Sequence, residues 1–315
     1  MSVIEQLQNV QKEWSMPMIP ADIPHGDMPG DKVSINATHI MKARVLFPKL
    51  CQLLVPVILA NPSRRAVVTV CGGSGVGKSE IASILSYCFS QIGVGSYTLS
   101  GDNYPHRIPM YNDAERVRVF RHGGIRGMIT SGLYTPDRFK LLQNMMKAET
   151  DADPAQGARY PWLAAYQKAG RAALKGYLGT DKEQGFEELT EIVSRFKNGE
   201  NTIFLKRMGR EDTELWYDPV KFDDVNILII EWTHGNSDGY QGVDVPILLN
   251  STPAETLAHR RARNRDGKTD SAFTTMVLEI EQGLLDQQAS KAKLILSKAG
   301  EILSYQDYKT LMAAE

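Results

Sequence analysis

Apolar residues along this chain fall into two rhythms. Five short, nearly continuous apolar runs, at 67–71, 96–100, 226–231, 243–249 and 292–296, read as strands. Longer stretches with apolar residues every three or four positions, at 80–91, 113–124, 136–149, 161–175, 185–197, 254–264 and 271–289, predict helices. Strands of this kind spaced by helices indicate a parallel sheet covered on both faces, hence an α/β fold. Residues 202–207 and 213–217 predict a hairpin or a pair of short strands. Thr252, Pro253 and Glu255 are a helix-start signal, since Thr252 can cap, Pro253 suits the first helical position and Glu255 closes a capping box.

The beginning and the middle of the chain are organised differently. After a short opening helix, residues 16–32 are rich in Pro, Gly and Asp and predict irregular chain. A helix over 39–61 follows, in which Ile40, Ala43, Val45, Leu46, Leu50, Leu53, Leu54, Val57 and Ile58 recur closely enough to pack on the domain, with Asn61-Pro62 as its stop. Residues 1–62 therefore read as an N-terminal helical appendage. The remainder, 63–315, reads as one domain with a large, mostly helical insertion at about 108–224. Glycines after residue 123 and the Thr135-Pro136 pair are expected to separate the two helices at its start, 113–124 and 136–149.

Residues 72–79 read GGSGVGKS and fit the pattern G-x-x-x-x-G-K-[ST] between a predicted strand and a predicted helix. Triphosphates carry several negative charges, and backbone N–H groups left bare by glycine surround them without a Cβ clash. Gly73, Ser74, Gly75, Val76, Gly77, Lys78, Ser79 and Glu80 are the candidate nucleotide-binding residues. Lys78 is placed to reach the β- and γ-phosphates, and the Ser79 hydroxyl to ligate Mg²⁺, at the start of a helix whose dipole favours anions. The loop predicts ATP or GTP with Mg²⁺.

Composition narrows the partners. A chain of 315 residues with 42% hydrophobic content can build a sizeable core. With 36 basic and 37 acidic side chains and a formal charge of −1, nothing pulls it globally toward nucleic acid or an anionic membrane. Cys51, Cys71 and Cys88 are an odd count without metal-ligand spacing, each in an apolar stretch, which predicts reduced, buried thiols. The opening residues lack a basic region followed by an apolar core, and the longest apolar stretch, 50–60, is too short for a bilayer span. The expectation is a cytoplasmic protein with a small-molecule partner and no nucleic acid or membrane partner. Assembly as a homo-oligomer is left open.

Two acids complete the candidate chemistry. Asp102 lies at the carboxyl end of the second predicted strand and Glu231 at the end of the third, and ligands of open α/β sheets gather at that edge. A lone strand-end Asp reads more readily as a turn or helix-cap residue, but a second acid at the same edge favours a site. One acid can help to hold a metal, as Ser79 and Glu231 would, while the other deprotonates an attacking hydroxyl. Arg260, Arg261, Arg263 and Arg265 crowd into 259–268, where Arg261 and Arg265 share a helix face and could close over a transferring phosphate. Arg116, Arg121, His122, Arg126, Arg207 and Arg210 are candidates for an acceptor that already bears phosphate, and Tyr104, Trp162, Trp216 and Tyr217 for stacking. Taken singly, each reads equally well as an ordinary surface or core residue.

Together GGSGVGKS, GDNYPHR, ILIIEWTHGN and RRARNRD resemble the phosphoribulokinase/uridine kinase group of P-loop small-molecule kinases, over 66–107 and 227–296. The resemblance implies a five-stranded parallel sheet in the order 2-3-1-4-5 with helices on both faces. It implies Asp102 as catalytic base, acceptor contacts from the Tyr104, His106 and Arg107 segment, Glu231 serving Mg²⁺ or catalysis, and Arg261 and Arg265 in a lid at about 259–270. The function expected is transfer of phosphate from ATP to a hydroxyl of a sugar, polyol or sugar phosphate. An adenylylsulfate-kinase-like enzyme is one alternative. A nucleotide-dependent GTPase or ATPase switch is the other, against which stand the lack of an N-K-x-D motif and of a Cys/His cluster.

Overall fold

The computed structural model describes residues 1–20, 22–252, 255–257 and 271–313. Its strands are β1 (Ala66–Gly72), β2 (Ser96–Ser100), β3 (Thr202–Met208), β4 (Leu215–Lys221), β5 (Ile227–Trp232), β6 (Val245–Leu249), β7 (Leu294–Leu296) and β8 (Ile302–Leu303). The helices are α1 (Val3–Val10), α2 (Ala37–Ala60), α3 (Lys78–Gln91), α4 (Pro109–Thr130), α5 (Pro136–Lys147), α6 (Pro154–Arg159), α7 (Pro161–Lys175) and α8 (Phe186–Lys197), then Ala272–Gln288 and Tyr305–Ala313. Contacts divide the chain into one unit of Met1–Tyr104, Gly185–His259 and Leu284–Glu315, and another of Pro105–Gln184 and Arg260–Gly283.

The first unit is built on a sheet in the order β2-β5-β1-β6-β7-β8. The first five of these are parallel, and β8 runs antiparallel along β7. Numbered among themselves, the parallel strands have the expected order 2-3-1-4-5. The sixth strand, two residues long, is too short to carry a pattern in the sequence. Every residue of β1 and of β5 is buried, which is why both read as continuous apolar runs rather than alternating ones. On one face Val68, Val70, Ile227, Ile229 and Ile247 pack with Leu46, Leu50 and Leu54 of α2 and with Ile81, Leu85 and Phe89 of α3. On the other, Val67, Leu228 and Ile230 meet Leu189, Val193 and Phe196 of α8.

Residues expected as an N-terminal appendage share that first core, since Leu7, Val10, Ala43, Phe47 and Ile58 belong to it. The apolar stretch read as too short for a bilayer lies within α2, a 24-residue helix that is long and apolar enough to cross one by length and composition. Here its apolar stripe is used for packing: Leu46, Phe47, Leu50, Cys51, Leu54 and Ile58 are all fully buried. The hairpin of β3 and β4 pairs Thr202 with Lys221 and turns Ile203 and Leu205 into the second core. Arg65, just before β1, is buried and donates to the carbonyl oxygens of Phe196, Glu200 and Phe222 and to Asn201 Oδ1. One side chain thus satisfies the ends of α8 and β4 that surround it.

In the second unit α4 continues to Thr130, past the glycines expected to end it. The reason is packing against α7. A Cβ on Gly124 would lie 2.4 Å from the Tyr166 ring, one on Gly127 2.1 Å from Ala169 Cβ, and one on Gly170 2.7 Å from the Phe120 ring. These glycines let two helix backbones approach closely, with Phe120, Leu163, Tyr166 and Leu174 in the core around them. Buried ion pairs brace the same unit: Arg121 forks onto Asp151, and Arg116 donates to Glu183 at 2.6 Å.

Candidate active site

The sheet explains the phosphate loop. β1 runs out at Gly72, where a Cβ would sit 2.7 Å from the Leu249 carbonyl oxygen and 2.8 Å from Val76, so the loop must leave the sheet without a side chain. It closes at Gly77, which caps α3 with φ of 95°, backbone that L side chains rarely adopt. Val76 is buried beneath the loop. Lys78 donates to the Gly73 carbonyl oxygen at 3.1 Å, folding its ammonium over the loop. Glu80 is buried one turn into the helix. His39 of α2 lies against the loop too, its Nε2 2.9 Å from where a Gly77 Cβ would be. His39 also closes a capping box with Asn36 at the start of α2.

Parallel register brings the acids to this edge. Glu231 is opposite Val70 of β1 on one side and Ser100 of β2 on the other. Its carboxylate accepts from Ser79 Oγ at 3.0 Å and from Ser100 Oγ at 2.7 Å. Burial, and next the charge of Asp102, push its carboxyl up to about 8, against the pull of Lys78 and of the two serine hydroxyls. The mutual influence of Glu231 and Asp102 places them in one electrostatic neighbourhood. Asp102 itself is exposed, on the single turn Gly101–Asn103 that follows β2. That turn lies on Trp232: a Cβ on Gly101 would be 2.1 Å from the indole. The structure therefore brings Lys78, Ser79, Glu231 and Asp102 together, and adds Ser100, which the sequence pattern concealed inside a strand.

Among the described residues, the structure places the other expected site residues in one unit or the other. Tyr104 is fully buried in the second core, so stacking on a ligand is corrected to packing. Arg207 is corrected likewise: it is buried and ion-paired to Asp27 at 2.9 Å and Asp218 at 3.3 Å, with Nη2 donating to the Tyr97 hydroxyl at 3.0 Å. That leaves no free face for an acceptor. His106, Arg107 and Arg126 belong to the second unit. There the His106 ring lies 2.8 Å from the Asp181 carbonyl oxygen, Arg107 donates to the Tyr177 hydroxyl at 3.0 Å, and Arg126 is exposed. Arg261, Arg265 and the expected lid at 259–270 lie outside the described residues. The capping box expected at their entrance is formed, with Thr252 and Glu255 exchanging side-chain-to-backbone hydrogen bonds.

Two relatives decide the family. Over 242 residues, 77% of this chain, the sequence is 37% identical to the bifunctional alpha-galactosidase/sucrose kinase AgaSK of Mediterraneibacter gnavus. The chain belongs to the P-loop small-molecule kinases. It spans about a fifth of that relative's length, 21%. A second relative is the adenylyl-sulfate kinase of Erwinia tasmaniensis, 31% identical over 140 residues, 38% of this chain and 69% of the other. Among solved structures, a Silicibacter sp. TM1040 protein described as a fructose transport system kinase shows 14% identity and a TM-score of 0.43 over 79% of this chain and 89% of its own. No protein-family model matches the sequence.

Proposed function

We propose that this kinase transfers the γ-phosphate of ATP to a hydroxyl group of a neutral sugar, with sucrose the first acceptor to test. What carries the reading is the convergence of Ser79, Glu231 and Asp102 beside Lys78. Backbone N–H groups of 73–79 and the Lys78 ammonium bind the phosphates. The hard oxygen donors of Ser79 and Glu231 suit Mg²⁺, and they already lie within hydrogen-bonding distance of each other. A bound Mg²⁺ supplies neutralisation of charge on the β- and γ-phosphates. Asp102, exposed at the strand edge, accepts the proton of the acceptor hydroxyl as its oxygen attacks phosphorus, and the bond to ADP breaks in line. Arg261 and Arg265 would add charge stabilisation from the lid.

Two observations favour a neutral acceptor over an anionic one. The sucrose kinase relative is the more similar over the longer span. Three arginines that could recognise phosphate or sulfate, Arg116, Arg121 and Arg207, are engaged with Glu183, Asp151 and Asp27. Buried, non-reactive thiols at Cys51, Cys71 and Cys88 fit a reducing cytoplasmic setting. The test is an acceptor panel with ATP labelled at the γ-position. Label on sucrose or another neutral sugar supports the proposal; label on adenylylsulfate alone replaces it with the second kinase. Acceptor-independent hydrolysis with a preference for GTP points instead to a switch protein.

A further inference from the structure

Residues 20–35 form no helix or strand among those described, yet the Asp27 carboxylate in their middle accepts four hydrogen bonds. Its Oδ1 accepts from the Ser100 backbone N–H at 2.7 Å and from the Asn103 side-chain amide at 3.1 Å. Its Oδ2 accepts from the Tyr97 hydroxyl and from Arg207 Nη1, both at 2.9 Å. The side chain is 9% exposed; burial pushes its carboxyl up from the ordinary value, and the adjacent Arg207 guanidinium pulls against that.

The donors on Oδ1 flank Asp102. Ser100 is the last residue of β2, clamped at its backbone by Asp27 and at its hydroxyl by Glu231. Asn103 ends the turn that bears Asp102, and its Oδ1 accepts from the Met208 backbone N–H at 3.0 Å. Gly26 brings the same segment against the site: a Cβ there would lie 3.6 Å from Glu231 Oε1. A single oxygen of a residue far upstream of the phosphate loop thus holds both ends of the short turn on which the candidate base rides.

We propose that Asp27 is a positioning residue for phosphoryl transfer, fixing the Ser100–Asn103 turn so that Asp102 faces the acceptor hydroxyl. The inference rests on the kinase reading above, with Asp102 as base. Misplacing a reacting group by about 1 Å costs on the order of 100-fold in rate, so the effect belongs in kcat.

The test compares Asp27→Ala, Asp27→Asn and Asp102→Asn, singly and as the Asp27→Ala/Asp102→Asn pair. Asp27→Ala is expected to lower kcat for transfer to the sugar by about 10- to 100-fold and to leave KM for ATP within about two-fold. Asp27→Asn keeps an oxygen for Ser100 and Asn103 and falls between; it carries the test should Asp27→Ala not fold. Because Asp27 acts through Asp102, the pair is expected to be no slower than Asp102→Asn alone. A folded Asp27→Ala enzyme with unchanged kcat, or a pair whose losses multiply, would overturn the proposal. Exchange of the Ser100 amide, read residue by residue by NMR, supplies a readout without catalysis and is expected to accelerate at least about ten-fold in Asp27→Ala. If the wild type transfers no phosphate to any acceptor, the kinase reading fails. The exchange result then still decides whether Asp27 holds the turn, and an unchanged Ser100 rate sinks the positioning role by itself.

Discussion

Glu231→Gln should make this protein more stable and less active, and the size of the first effect follows from the site. Glu231 is buried between Val70 and Ser100, and its carboxyl is pushed up to about 8 from an ordinary 4.5, by burial first and Asp102 second. In the unfolded chain the group ionises near 4.5. Between there and about 8 the folded state holds a proton that the unfolded state has released. Stability from this group is therefore complete below 4.5, falls as pH rises and levels off above about 8. The slope is about 1.4 kcal/mol per pH unit, which gives on the order of 5 kcal/mol over the window before relaxation and water entry reduce it. Glutamine has the same shape and no charge, and the Ser79 and Ser100 hydroxyls can rotate to suit its amide. Urea unfolding of the ligand-free protein at pH 5, 6.5, 8 and 9 should show variant and wild type within about 1 kcal/mol at pH 5, and the variant ahead by several kcal/mol at pH 9. Phosphoryl transfer should fall steeply in the same variant, because the amide cannot replace a carboxylate in holding Mg²⁺. Parallel stability profiles across the pH range would refute the claim that the buried charge is costly in the folded state.

Further outcomes follow from packing and burial. Gly124→Ala gains up to about 1 kcal/mol of helix propensity but sets a methyl 2.4 Å from the Tyr166 ring, so thermal unfolding should show a net loss of about 1–2 kcal/mol. Gly283→Ala, with open space at its Cβ inside the helix Ala272–Gln288, should gain up to about 1 kcal/mol and serves as the contrast. Arg65→Ala leaves the carbonyl oxygens of Phe196, Glu200 and Phe222 without their donor and should cost about 2–4 kcal/mol by urea denaturation. Burial raises the Cys71 thiol to about 11 and the Cys88 thiol to about 12, so iodoacetamide should leave both unmodified at pH 8 in the native protein and modify them in urea.

The parallel sheet was legible because strands buried on both faces leave unbroken apolar runs, and the phosphate loop because its glycines are demanded by local geometry. The meeting of Asp102 and Glu231 was legible for a topological reason, since both end parallel strands at one edge. What the sequence concealed depends on partners distant along the chain. Gly124 and Gly127 look like helix stops until α7 supplies the surface they accommodate. Arg207 looks like a phosphate ligand until Asp27, in a segment with no periodicity, occupies it. Tyr104, next to the turn that bears Asp102, looks like a stacking platform and is core. His39 shows no link to the loop it touches, because α2 reaches Gly77 only through the fold.

Asp102→Asn tests the shared active centre most directly. Transfer of labelled phosphate from ATP to the sugar acceptor should fall by at least about 1000-fold, while calorimetric ATP affinity with Mg²⁺ stays within about three-fold of wild type. A variant that still phosphorylates the sugar at the wild-type rate would contradict the account.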